Sequence, residues 1–226
     1  MRLAKQHLDI GLFTNRIEPQ CAFWSNEVGL RLDHVLTLRR GWVQHRFDAN
    51  GSVIKVNHRT TRLPVRPMSG FSELSVARTA QPAEWAGRSP DGDRVRVVLA
   101  GTRDVVGIGI SISTPRPKVV HAFYRDVLQF DDGGDGRLWC GDSVVDFVEG
   151  PGGSDIDDFA RRGYRYLTMQ VFDADREIAA IVDRGGRVAR EAVNLGGVAR
   201  YGFVADPDGN WTEISARTSL TGVAVE

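Results

Sequence analysis

The residues of this 226-residue chain best suited to act as bases, nucleophiles or metal ligands are five histidines and two cysteines. Cys21 and Cys140 are far apart and lack CxxC spacing. They predict two reduced thiols, not a disulfide framework or a zinc site. His45 and His58 fall on neighbouring predicted strands, where an imidazole serves as base or ligand. Strand alternation, however, puts Lys55 and Asn57 on one face and His58 on the other. His34 and His121 stand in no constellation. Most of the chemistry must therefore come from carboxylates, lysine, arginine and tyrosine.

Composition narrows the partners. Lys and Arg number 29 against 29 Asp and Glu, so no net charge recommends nucleic acid. A 42% hydrophobic share with 26% charged residues predicts a folded chain, one large domain or two small ones. No apolar run approaches the ~20 residues a membrane helix needs. Residues 1–7 show no apolar core or cleavage pattern of an export signal, so the cytoplasm is the expected location. The 25 glycines point to many tight turns and short strands.

The elements that position these groups repeat. Leu8–Thr14 alternates, with Ile10 and Leu12 on one face and Asp9, Gly11 and Phe13 on the other. A helix over Glu18–Val28 follows, closed by Gly29, then strands at Asp33–Arg39, Trp42–Phe47 and Ser52–His58. Asn50-Gly51 predicts the hairpin turn between the last two. A linker with Pro64, Pro67 and Gly70 leads to strands at Phe71–Arg78 and Arg94–Leu99. The gap between those strands, holding Pro82 and Ser89-Pro90-Asp91-Gly92, is too short for a helix and two strands. The pattern restarts with a strand at Val106–Ser113, an amphipathic helix over Pro117–Phe130 and strands at Arg137–Cys140 and Ser143–Glu149. It repeats with a strand at Tyr164–Phe172, a helix at Ala174–Arg184 capped by Asp173, and strands at Arg187–Glu191, Ala199–Ala205 and Trp211–Ala216. A strand–helix–strand–strand–strand unit thus occurs three times complete and once truncated.

Three segments carry a family resemblance: Ala22-Phe23-Trp24-Ser25-Asn26-Glu27-Val28-Gly29, Ala122-Phe123-Tyr124-Arg125-Asp126-Val127-Leu128 and Asp206-Pro207-Asp208-Gly209-Asn210-Trp211-Thr212-Glu213-Ile214. In this order they resemble the vicinal oxygen chelate superfamily, which includes glyoxalase I, bleomycin-resistance proteins, methylmalonyl-CoA epimerases and extradiol dioxygenases. The resemblance covers 103–217 and 7–60 best and 68–99 least. It implies an α+β fold of repeated βαβββ units forming two fused half-open cups. The N-terminal cup (1–102) would have an eroded second unit, and the C-terminal domain (103–226) would be complete. In metal-dependent members a divalent ion sits in a cup, held by first- and last-strand residues, and polarises adjacent substrate oxygens.

Counting from the family motifs puts the C-terminal set at Gly109, Asp146, Tyr166 and Glu213, and the N-terminal set at Asp9, Lys55, Phe71 and Arg96. Neither contains histidine, and two cations crowd the second set. The expectation is therefore no metal cofactor, with Asp146 and Glu213 keeping a hard ion open. Glu213 is the candidate base, with Asp146 and Tyr166 assisting. Gly109 and Ser111, with Gly107, leave room for a ligand. Lys55 and Arg96 beside Asp9 form either a clamp for a carboxylate or phosphate or a structural ion pair. Trp211 is expected on the face away from Glu213. The leading reading is isomerase- or lyase-type proton transfer on a small organic molecule. The alternative is a non-catalytic protein that binds or sequesters a small molecule, as bleomycin-resistance proteins do. Extradiol ring cleavage stands behind both, because it needs two histidines and a carboxylate on iron. Units pair either within the chain or across a homodimer.

Overall fold

In the computed structural model, residues 1–65, 68–79, 84–153 and 160–225 are described. Pro67, Pro82 and part of the 150–163 connector lie outside them. The first unit is β1 (Asp9–Thr14), α1 (Ile17–Ala22), β2 (Arg31–Arg39), β3 (Trp42–Ala49) and β4 (Ser52–Arg59). The second, with no helix among the described residues, is β5 (Phe71–Arg78), β6 (Trp85–Arg88) and β7 (Arg94–Leu99). The third is β8 (Ile108–Thr114), α2 (Pro117–Ala122), β9 (Asp131–Asp132), β10 (Leu138–Cys140) and β11 (Ser143–Glu149). The fourth is β12 (Gly163–Gln170), α3 (Ala174–Asp183), β13 (Arg187–Leu195), β14 (Ala199–Ala205) and β15 (Trp211–Arg217). A short α4 (Thr218–Thr221) ends the regular structure.

The local signals act as expected. Asn50 and Gly51 take φ of 56° and 91°, the left-handed pair that a tight β3–β4 hairpin requires. Asp173 accepts the Arg176 N–H and caps α3. α1 and α2 each run into one wider π-helical turn, closed by Val28 N–H to the Phe23 carbonyl and Leu128 N–H to the Phe123 carbonyl. That turn presents Phe23-Trp24 and Phe123-Tyr124 edge-on to each other, at 5.1 and 5.7 Å between ring centres. No helix among the described residues is long and apolar enough to cross a membrane.

The pairing of units corrects one expectation. The eight-stranded sheet runs β13-β14-β15-β12-β1-β4-β3-β2 and the seven-stranded sheet β6-β7-β5-β8-β11-β10-β9. Unit one therefore shares a sheet with unit four, and unit two with unit three. Each sheet takes one unit from residues 1–102 and one from 103–226. The joins are antiparallel, with Asp9 across from Thr168 and Ser75 across from Gly109.

Two related turns tie the sheets together. Asn210 Oδ1 accepts the Gly70 N–H at the head of β5, and Asp93 Oδ1 accepts the Tyr164 N–H of β12, at 3.1 Å. Arg16 and Arg116 reach the carbonyls of Pro90 and Pro207, at 2.7 and 2.8 Å. The main core lies on the Ile10/Leu12 side of β1, while Phe13 joins Tyr166, Phe203 and Trp211 in a separate cluster on the other face. Strand alternation sorts β1 as the sequence predicts.

Candidate functional site

The eight-stranded sheet curls around a cleft of about 820 Å3. At its floor, β1, β4, β12 and β15 bring Asp9, Lys55, Thr168 and Glu213 together. The Lys55 ammonium donates to Glu213 Oε2 at 2.6 Å and to Thr168 Oγ1 at 2.7 Å. The Thr168 hydroxyl donates in turn to the same Glu213 oxygen. Asp9 Oδ2 lies 3.9 Å from the ammonium, and its Oδ1 accepts from Lys5 and from the Val53 N–H. Burial pushes the Lys55 pKa down, against the charges of Glu213 and Asp9. For Asp9 burial pushes up, but the Lys5 and Lys55 ammonium groups prevail and hold its pKa below the usual carboxylate range.

Tyr166 lies one pleat along. Its ring covers Gly11 so closely that a Cβ there would come within 2.1 Å of ring carbons. Glycine in β1 is what lets the ring lie flat across the strand. The phenol oxygen accepts from Asn57 Nδ2 at 3.1 Å. Burial, then the Glu213 charge, drives its pKa well above 10, so Tyr166 stays protonated at neutral pH. Trp42, Tyr201, Phe203 and Leu195 form much of the wall, and Arg46 and Arg217 line it too.

The second cleft, about 1430 Å3 and open, belongs to the seven-stranded sheet. Glu73 binds Arg96 at 3.0 Å and Arg94 at 3.4 Å. Asp146 pairs across from Ser111. Burial raises the Asp146 pKa although Arg137 and Arg103 oppose the rise.

The eight residues singled out from sequence thus divide between the two clefts. Lys55, Tyr166 and Glu213 line the first, with Asp9 fully buried beside Lys55; Arg96, Ser111 and Asp146 line the second, and Gly109 lies on the same sheet. The expected trio of Glu213, Tyr166 and Asp146 is split, because β12 pairs with β1 and β11 with β8. The clamp of Lys55 with Arg96 is split for the same reason. Gly109 leaves no open space: a Cβ there would meet Val105 at 2.9 Å and Val144 at 3.1 Å. Phe71 is buried in the main core, and Glu73, beyond a register shift, takes the cleft-facing place. Trp211 shares the Glu213 face and packs on Phe203 at 5.1 Å. His45 lies near Cys21 Sγ (3.7 Å), away from the cleft, its pKa lowered by burial. Thr168, Gln44, Arg46 and Arg217 were missed. Thr168 stands two residues from Tyr166, and Arg217 four from Glu213, so strand alternation alone would have flagged both.

The four floor positions do not suit a divalent ion. One is an ammonium already bonded to Glu213 and Thr168, and Asp9 is engaged by Lys5. Among the described residues no three His, Cys, Asp or Glu side chains group as metal ligands would.

Residues 108–214 match the model of the Glyoxalase/Bleomycin resistance protein/Dioxygenase superfamily. Glyoxalase I from Zea mays superposes with a TM-score of 0.71 at 12% identity, covering 98% of this chain and 94% of that one. Its V278E mutant gives 0.73 at 12%, with coverage of 98% and 94%. The CppA protein of Streptococcus pneumoniae gives 0.58 at 11%, covering 96% and 100%. At these identities the likeness is one of fold, and it extends the glyoxalase-like architecture over nearly the whole chain. No curated protein matches the sequence.

Proposed function

We propose that the cleft of the eight-stranded sheet binds a small organic molecule and moves a proton next to its carbonyl group, without a metal ion. The observation that carries this reading is the Lys55–Glu213 pair at the cleft floor. Glu213 Oε2 is taken by Lys55 and Thr168, while Oε1 has no hydrogen bond among the described residues. A substrate carbonyl oxygen would accept an N–H of Lys55. Glu213 Oε1 would take the proton from the neighbouring carbon, and the electron pair would move onto the carbonyl oxygen as an enolate. The Lys55 charge offsets that developing anion, the task a metal performs elsewhere in the superfamily. Return of the proton to a different carbon completes an isomerase; loss of a β-substituent completes a lyase. Tyr166, held neutral, walls the site. Asp146 takes no part.

A non-catalytic binding protein is the second reading. It is favoured by the closure of Lys55 on Glu213 and by the aromatic wall, which would hold a ligand without acting on it. The test starts from the small molecule that co-purifies with the protein, identified by mass spectrometry. Proton NMR in D2O then follows its C–H signals. Proton transfer predicts exchange about 10²–10⁴-fold faster with the wild type than with Glu213→Gln, with affinity retained. Equal, uncatalysed exchange in both would leave only sequestration.

A further inference from the structure

We infer that this same cleft selects an organic anion, a carboxylate or phosphate on a planar apolar body, through the guanidinium groups of Arg46 and Arg217. The inference rests on the reading of the cleft as the ligand site and names what it takes.

Arg46, on β3, is 5% exposed. Its NH1 donates to Gln44 Oε1 at 2.8 Å, while its buried Nε has no partner. Arg217, at the end of β15, is partly buried on the same wall. Among the described residues neither has a carboxylate within ion-pair distance. The nearby acids are otherwise occupied: Glu213 holds Lys55, and Asp9 holds Lys5. Burial, then the charge of Arg46, pulls the Arg217 pKa down, while Asp9, Glu213 and Asp33 oppose this from farther off. Two guanidinium groups drawn out of water with no carboxylate in direct ion-pair contact are costly to hold. A ligand anion accepting from both would offset that cost, and guanidinium geometry suits carboxylate and phosphate oxygens.

The surroundings define the rest of the ligand. Trp42, Tyr201 and Phe203 offer flat apolar surface beside the two arginines. Arg39, stacked on Trp42 at 4.9 Å, adds positive charge at the rim. The second cleft differs: its Arg94 and Arg96 hold Glu73, and its Arg137 holds Asp135 and Asp104.

Three probes of one shape provide the test: 2-naphthoate, 2-naphthyl phosphate and the uncharged 2-naphthamide, titrated calorimetrically. At least one anion should bind about tenfold or more tighter than the amide. Arg46→Gln and Arg217→Gln should each weaken that anion about tenfold and leave the amide within roughly threefold, while Arg46→Lys retains part of the preference. Arg217 is the less buried of the two, so its variant keeps the test intact if Arg46→Gln fails to fold. Arg96→Gln, in the second cleft, should change nothing. Equal binding of amide and anions, or anion binding untouched by both Gln variants, would overturn the anion preference and leave the ligand site standing. Loss of anion binding in Arg96→Gln would move the site to the other cleft and overturn the inference. Binding of none of the three would sink the ligand site and the inference together.

Discussion

The two clefts are built on the same frame of four central strands, and each centres on an ion pair, yet they have diverged in depth. In the eight-stranded sheet the pair is Lys55–Glu213, with side chains 5% and 13% exposed and a threonine closing the triangle. In the seven-stranded sheet it is Arg96–Glu73, with the arginine 27% exposed and a second arginine competing for the carboxylate. The second unit, which lacks a helix among its described residues and has only a four-residue β6, gives its sheet a shallower wall. The same strand frame thus carries an enclosed polar floor with an aromatic wall in one place and an open charged groove in the other.

Mutations should separate the two. Lys55→Met leaves Asp9 and Glu213 buried without their shared cation and should cost about 3–5 kcal/mol, read from urea unfolding. Gly11→Ala drives a methyl into the Tyr166 ring and should cost about 1–3 kcal/mol. It should also release the phenol from Asn57, seen as a change in the tyrosine signal in difference absorbance. Arg96→Met, the counterpart of the lysine change in the open groove, should cost no more than about 1 kcal/mol. A loss there as large as that of Lys55→Met would erase the distinction between the clefts.

The turns that couple the sheets carry a pH signature. Asp93 and Asp206, both buried, have pKa values raised to about 6 by desolvation, against their own hydrogen bonds. A carboxyl whose folded pKa exceeds its unfolded value contributes stability that is present below 3.8 and lost as pH rises through about 6. Stability should therefore fall across this window. Asp93→Asn reproduces the chemistry of Asn210 at the equivalent position of the other turn, and should lessen the fall measured by thermal melts at pH 4 to 7, leaving the share due to Asp206. An unchanged slope would show that Asp93 titrates normally.

Much of the fold was legible because its signals are local. The Phe23-Trp24 and Phe123-Tyr124 helix ends, the Asn50-Gly51 hairpin and the Asp206–Asn210 turn fix elements within a few residues of themselves. The choice of partner unit was not, because it depends on contacts such as Asp9 with Thr168, far apart in sequence, and either neighbour can satisfy an alternating strand. That ambiguity is why Glu213 and Lys55 were each singled out but not as a pair, and why Asp146 was grouped with the wrong partners. That Tyr166 was singled out while Thr168, which bonds Lys55 and Glu213, was missed has a related origin. Residues two apart share a face, so alternation cannot tell one pleat from the next. Trp211 is the opposite case: its spacing from Glu213 should have placed it on the cleft side.

The sharpest test is a double-mutant cycle on Lys55→Met and Glu213→Gln, with unfolding free energies measured for the wild type, both single variants and the pair. A shared floor beneath the first and fourth units predicts a coupling energy of about 1–3 kcal/mol. Additivity within about 0.5 kcal/mol would mean the two side chains do not meet, and the cleft as described would not exist.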